Sequence, residues 1–362
     1  MTDFMTKNKE KLEQFAAMSQ AAGSRSDYVQ GGGGNTSVKL ADGLMAIKAS
    51  GYCLSDIRPD KAYAVLDYEA LRRFYYGNEP AQLADVEKLG SACAKENTKL
   101  IEGMDALRPS VEAGFHSILK TFVCHTHSVY ANLAACSTAC CEIAEKAFNG
   151  ADYTWGWVPY TDPGANLTFA IRDELRRVGE KTGKVPSVIL MQNHGIIVHD
   201  DDAERCLAIH ADANERLAQQ FGIHGDSFPA ISVRQTGEEL YEADTPYLRE
   251  ALKNCRYDYK TFIETPLYPD QMVFLIGTFF MDKEGTPAEG ECYADTRTGA
   301  LVLHMGEKKA KTITETLTAV IFIMDTVAKM GYTVSTMGEA AKSFIANWES
   351  EKYRKSLAGK KG

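Results

Sequence analysis

Three histidines define the chemistry open to this chain: His125 and His127 in Phe122-Val-Cys-His-Thr-His127, and His194 in Met191-Gln-Asn-His-Gly195. Side chains two residues apart on a strand share a face, so His125 and His127 can grip one ion while Thr126 points away. His194 would supply the third corner. A zinc site with three protein ligands keeps one position open for water or substrate, the arrangement of a catalytic centre. The spacing therefore predicts a reactive metal site, with zinc first and another divalent ion second. His116, His199, His210, His224 and His304 read instead as hydrogen-bonded core or surface residues.

Two further side chains could move protons. Glu112 lies in Arg108-Pro-Ser-Val-Glu-Ala-Gly-Phe-His116, where Pro109 suits the first turn of a helix and Glu112 and His116 would share a face. Taken alone, Glu112 is a solvated first-turn glutamate favoured by the helix dipole. Tyr160 closes Trp155-Gly-Trp-Val-Pro-Tyr160 and could protonate a leaving alkoxide, although a tyrosine in such a place is ordinarily a half-buried packing residue. The glycine run Gly31 to Gly34 is a flexible turn or a ligand cradle, with neither a Walker A motif nor GxGxxG around it.

Periodicity supplies the elements that must hold these groups. Leu12, Phe15, Ala16 and Met18 predict a helix over 4–22, ending at Gly23. Strands at 35–40 and 44–49 flank a hairpin at Ala41-Asp-Gly43. Helices follow at 67–76, 81–102 and from Pro109, then the strand ending at His127, a helix over 128–147, and another near 165–181. The strand 187–191 runs directly into His194, 196–199 resumes strand character, and 202–221 is a helix. Periodicity lapses over 224–238, the best domain boundary, giving units of 1–225 and 226–362. The second unit carries a strong strand at 271–280, a strand pair near 291–304, and helices at 312–330 and 337–356.

The chain has 362 residues, too many for one typical core. A formal charge of −9 leaves no basic footprint for nucleic acid and no polybasic anchor for a membrane. A small molecule is the expected partner. The charged N-terminus does not read as a secretory signal, no apolar run reaches membrane-spanning length, and nine cysteines without CxxC spacing suit a reducing, cytoplasmic setting.

Gly33-Gly-Asn-Thr-Ser-Val-Lys39, Ala49-Ser-Gly51, Arg108 to His116, His125-Thr-His127 and Asn193-His-Gly195 occur in this order. The order resembles the class II aldolase/adducin family, and within it the aldolase portion of the bacterial rhamnulose-phosphate aldolase/alcohol dehydrogenase fusion proteins. The resemblance covers about residues 25–222 and continues more loosely to Asn347-Trp-Glu-Ser-Glu-Lys-Tyr353. It implies an α/β fold, a three-layer α/β/α sandwich with a mostly antiparallel central sheet, here with a smaller C-terminal α/β unit, and assembly as a homotetramer.

By the same resemblance, His125, His127 and His194 match zinc ligands and Glu112 matches the acid/base carboxylate. Asn35, Ser50, Gly51 and Ser110 match positions that hold a substrate phosphate. Val111 departs from the pattern where a second serine is common, which weakens that cradle. The implied reaction is zinc-dependent cleavage of a ketose 1-phosphate, of the rhamnulose or fuculose type, to dihydroxyacetone phosphate and an aldehyde. A divalent ion chelating two adjacent oxygens would stabilise the enediolate formed. The same scaffold also supports sugar-phosphate epimerases, dehydratases and decarboxylases, and a non-catalytic adducin-like protein without the histidine set.

Overall fold

The computed structural model describes residues 3–347. An eight-stranded sheet organises the first two-thirds of the chain: β1 (Asn35–Lys39), β2 (Leu44–Lys48), β3 (Tyr63–Asp67), β4 (Thr98–Lys99), β5 (Phe122–Thr126), β6 (Trp155–Val158), β7 (Val188–Met191) and β8 (Gly195–Asp200). Their spatial order is β4-β3-β2-β1-β5-β8-β7-β6. Every pairing is antiparallel except β6 with β7. Alternation along the strands sends Phe122 and Cys124 to the core under helices Lys9–Gly23 and Ala203–Gln220, and Val123 to the core on the opposite face. Helices on both faces make the three-layer sandwich that the resemblance implied.

A second sheet fills the C-terminal region. It orders β11 (Phe279–Met281), β12 (Cys292–Asp295), β13 (Ala300–His304), β10 (Leu240–Ala243) and β9 (Val233–Gly237). The hairpin β9–β10 thus lies partly within the stretch whose periodicity lapses. Helix Glu307–Lys329 packs on this sheet and on helix Val129–Ala135 of the first, and one cluster of buried apolar residues runs from Leu12 to Val327.

Four local expectations change, one being the helix over 128–147, which is two helices, Val129–Ala135 and Cys140–Ala147. The run 271–280 is not one strand: Pro269 opens helix Pro269–Leu275, and only Phe279–Met281 is extended. Proline at a first helical position is preorganised for a helix, and a short apolar run carries no periodicity that separates the two states. Pro109 does not start a helix; it bridges to Ala49, and the helix begins at Ala113 with Glu112 in the cap position. The expected helix 81–102 stops at Glu96, after which β4 adds an edge strand. Of the expected helix 337–356, Glu339–Asn347 is present, while 348–356 and all of the Asn347–Tyr353 motif after its first residue lie outside the described residues.

Candidate metal and catalytic site

The antiparallel register places Asn35 directly across from His125, so both side chains leave the same face of the sheet side by side. Thr126 points the other way, to His210 Nε2 at 2.8 Å, which secures the strand from behind. β7 and β8 pair up to Met191 and Gly195, leaving Gln192-Asn193-His194 as the hairpin turn. Asn193 takes the left-handed conformation there (φ 51°), a state asparagine tolerates better than most residues. That turn brings His194 beside β5.

The three imidazoles converge, each ring centroid 5.0 Å from the other two, and all three are buried. His125 Nδ1 donates to the Ile196 carbonyl at 3.0 Å, and His127 Nδ1 is 2.5 Å from Asp270 Oδ2. Those bonds fix both tautomers and turn the Nε2 atoms inward, 3.2 Å apart. Two nitrogens bound to one tetrahedral zinc at about 2.0–2.1 Å stand roughly 3.3 Å apart, so the pair is spaced to share an ion. Glu112 completes the cluster, with Oε2 3.5 Å from His125 Nε2 and Oε1 3.3 Å from His194 Nε2. Among the described residues Oε1 finds no hydrogen-bond donor although it is buried. A buried carboxylate oxygen facing imidazole nitrogens without a shared hydrogen bond is a costly arrangement that a cation relieves. The residues fit a divalent metal.

Charge states agree with that fit. Burial pushes the histidines toward the neutral form, His125 to about 4 and His194 to about 3, so at neutral pH their lone pairs are available. For Glu112, burial acts upward, but His125, His194, His127 and the Asn35 amide outweigh it and hold the group at about 2, as a carboxylate.

Asn35 connects the cluster to a second histidine. Its Nδ2 donates to Glu112 Oε2 at 2.6 Å and reaches Ser110 Oγ at 3.1 Å. His116 Nε2 bonds Asn35 Oδ1, and Ser37 Oγ lies 2.6 Å from His116 Nδ1. The consistent assignment has Ser37 donating to Nδ1 and His116 donating from Nε2, which forces the Asn35 amide group toward Glu112. His116 therefore supports Glu112 through Asn35 and does not join the metal cluster.

Of the expected phosphate positions, Asn35 and Ser110 touch directly, while Ser50 N–H donates to Arg108 O at 2.9 Å and Ala49 bridges Pro109, so Ser50 lies across from Arg108, two residues before Ser110. A cavity of about 960 Å³ opens behind Ser110 between helix Val86–Glu96 and segment 98–111, but it does not reach the histidines. The glycine run is not an open cradle. Gly31 N–H donates to Glu315, Gly33 N–H to Gln30 O, and a Cβ at Gly31, Gly33 or Gly34 would run into Thr312, Asp270 or the His125 carbonyl. These residues are glycine because other groups approach their backbone closely.

Tyr160 lies apart from the cluster's contacts. It packs against Met272, Met337, Ala341 and Ile345, its backbone N–H bonds the side chain of Gln192 in the His194 turn, and burial beside Asp162 keeps its hydroxyl protonated. Asp270 is the site residue that sequence reading missed. The only signals were the proline before it and an acidic residue within an apolar stretch.

Acid should unfold this arrangement. Burial lowers both His199 and His210 to about 3, against about 6.5 in an unfolded chain. Between those values the unfolded state binds more protons, so stability falls as pH drops, by about 1.4 kcal/mol per pH unit for each histidine. Melting temperature of chelator-treated protein is expected to decline steadily from pH 7 to pH 4; a flat profile would contradict the buried neutral histidines.

A sheet-borne, buried trio of histidines with a carboxylate among them could hold a metal ion. The description "Class II Aldolase and Adducin N-terminal domain" matches residues 13–221, more than half of the chain. The chain belongs to the class II aldolase and adducin family and is an enzyme of the class II aldolase type. Similar solved structures include the N-terminal class II aldolase domain of a conserved protein from Thermoplasma acidophilum (20% identity, TM-score 0.47, 57% of this chain and 92% of that one). The L-fuculose 1-phosphate aldolase from Glaciozyma antarctica is 12% identical (TM-score 0.38, 61% and 76%), and that from Thermus thermophilus is 15% identical (TM-score 0.33, 58% and 93%). No curated protein sequence matches the chain. Among the described residues no helix is long and apolar enough to cross a membrane.

Proposed function

We propose that the chain is a zinc-dependent aldehyde-lyase that cleaves a ketose 1-phosphate of the rhamnulose or fuculose type to dihydroxyacetone phosphate and an aldehyde. The observation that carries this reading is the convergence of His125, His127 and His194 on the Glu112 carboxylate. When bound, the metal supplies a Lewis acid for the negative charge that develops when a carbon–carbon bond beside a carbonyl breaks. Glu112, ionised and aimed by Asn35, carries the proton to and from the donor carbon. Ser110, Ser50 and Gly51 hold the substrate phosphate with hydroxyl and backbone donors. Asn35, matched to the phosphate in the family, spends its amide group here on Glu112 and Ser110, tying the two functions together. Tyr160, whose hydroxyl stays protonated, is the candidate donor to the alkoxide that forms when the reaction runs in the condensation direction; in cleavage that hydroxyl proton leaves the substrate as the carbon–carbon bond breaks and the aldehyde forms. Assembly as a homotetramer completes the proposal.

The test is release of dihydroxyacetone phosphate from a panel of ketose 1-phosphates by zinc-loaded protein. Release from at least one member is expected and identifies the sugar. Silence across the panel, with one zinc bound per chain, would move the reaction to epimerisation, dehydration or decarboxylation.

A further inference from the structure

The family match ends at residue 221, yet the metal cluster is held from beyond it. Asp270 reaches His127 across 143 residues of sequence, its Oδ2 2.5 Å from Nδ1, with Asp270 wholly buried and His127 nearly so. An independent sign of this contact lies in the glycine run, since a Cβ at Gly33 would enter the space occupied by the Asp270 carboxylate and the His127 ring. The segment that carries Asp270 is itself fixed: Gln271 accepts from Leu267 N–H at 2.8 Å and donates to Phe262 O at 2.9 Å, and Tyr268 hydroxyl meets Gln30. It also reaches the second half of the site. Asn193, next to His194, donates to Leu267 O and to Ser335 O, each at 2.8 Å.

We propose that Asp270 is a positioning residue of the metal centre, so that residues beyond 225 complete the site instead of merely covering it. The proposal rests on the metal reading above. A carboxylate that accepts the Nδ1 proton locks the imidazole in the tautomer that presents Nε2, fixes the ring plane and raises the basicity of the ligating nitrogen. A backbone carbonyl serves His125 Nδ1 in the same capacity, whereas at His127 the Nδ1 partner is the carboxylate of Asp270. Packing alone does not explain it, since an asparagine would fill the same volume without the cost of burying a charge.

Competition between the full chain and a chromogenic chelator for Zn²⁺ tests this. Asp270→Asn is expected to keep one site per chain and an unchanged circular dichroism spectrum, while its affinity falls about 10- to 100-fold. The visible spectrum of Co²⁺-loaded protein should shift as well, which a purely structural role would not cause. Unchanged affinity in Asp270→Asn beside tight binding by the native chain overturns the Asp270 proposal and leaves the metal reading intact; no stoichiometric Zn²⁺ on the native chain removes both. Should Asp270→Asn fail to fold, nitrogen NMR of the zinc-loaded native chain decides. His127 with Nδ1 protonated and Nε2 ligating supports the proposal, and ligation through Nδ1 overturns it.

Discussion

Glu112→Gln is expected to keep one zinc bound per chain and to lose about 10² to 10⁴-fold in carbon–carbon cleavage, the usual contribution of a positioned general acid/base. Glutamine preserves the volume, and its carbonyl oxygen can still accept from Asn35 Nδ2, which holds Oε2 at 2.6 Å in the native chain. What disappears is the capacity to take a proton. Burial acts to raise the pKa of this group and its neighbours, the imidazoles and the Asn35 amide, act to lower it, so its charge state depends on the side chains around it. Metal analysis and steady-state rates of the variant check the expectation. Near-native kcat would show that Glu112 is a bystander, and loss of zinc would show that it acts chiefly as a ligand.

The second large effect follows from removing the ion. Treatment with a strong chelator should reduce cleavage to background, and added Zn²⁺ should restore it. A Lewis acid worth several kcal/mol corresponds to a loss of about 10³-fold or more. The same removal should lower the melting temperature, because a ligand that binds only the folded chain stabilises it by mass action. His194→Ala should reproduce the loss without rescue by Zn²⁺. His194 hangs on the turn between β7 and β8, with Asn193 pinned by Leu267 and Ser335, so the rest of the site has its own supports and the variant should fold. Activity that survives both treatments would contradict a metal-dependent reaction.

The triad was legible in the sequence because its logic is local. Two histidines at strand spacing need no tertiary information to share a face, and Asn193-His-Gly195 sits where one strand visibly ends and another starts. The order of short motifs carried the family and, through it, the layered fold. What escaped reading depends on contacts between distant segments. Asp270 lay in a stretch whose Val-Phe-Leu run suits a strand as well as a helix, and nothing in its neighbourhood names His127. The pairing of Asn35 with Glu112 follows from the register of β1 against β5 together with the path of segment 109–112, neither of which periodicity supplies. Likewise the glycines at 31, 33 and 34 read as a flexible turn or a ligand cradle until Thr312, Asp270 and the His125 carbonyl are seen to fill the space around them. Pro109 misled for a local reason: proline suits a first helical turn, but its bridge to Ala49 holds the segment extended, and the helix waits until Ala113.

On the proposed reading, Glu112 moves a proton at a carbon beside a carbonyl held at the three histidines. Solvent deuterium exchange into dihydroxyacetone phosphate tests it most directly, because this half of the reaction needs no aldehyde and so no knowledge of the sugar. Zinc-loaded native protein is predicted to exchange one carbon-bound hydrogen stereospecifically, and the exchange should vanish with chelator and in Glu112→Gln. Absence of exchange by native protein carrying one zinc per chain would contradict the claim.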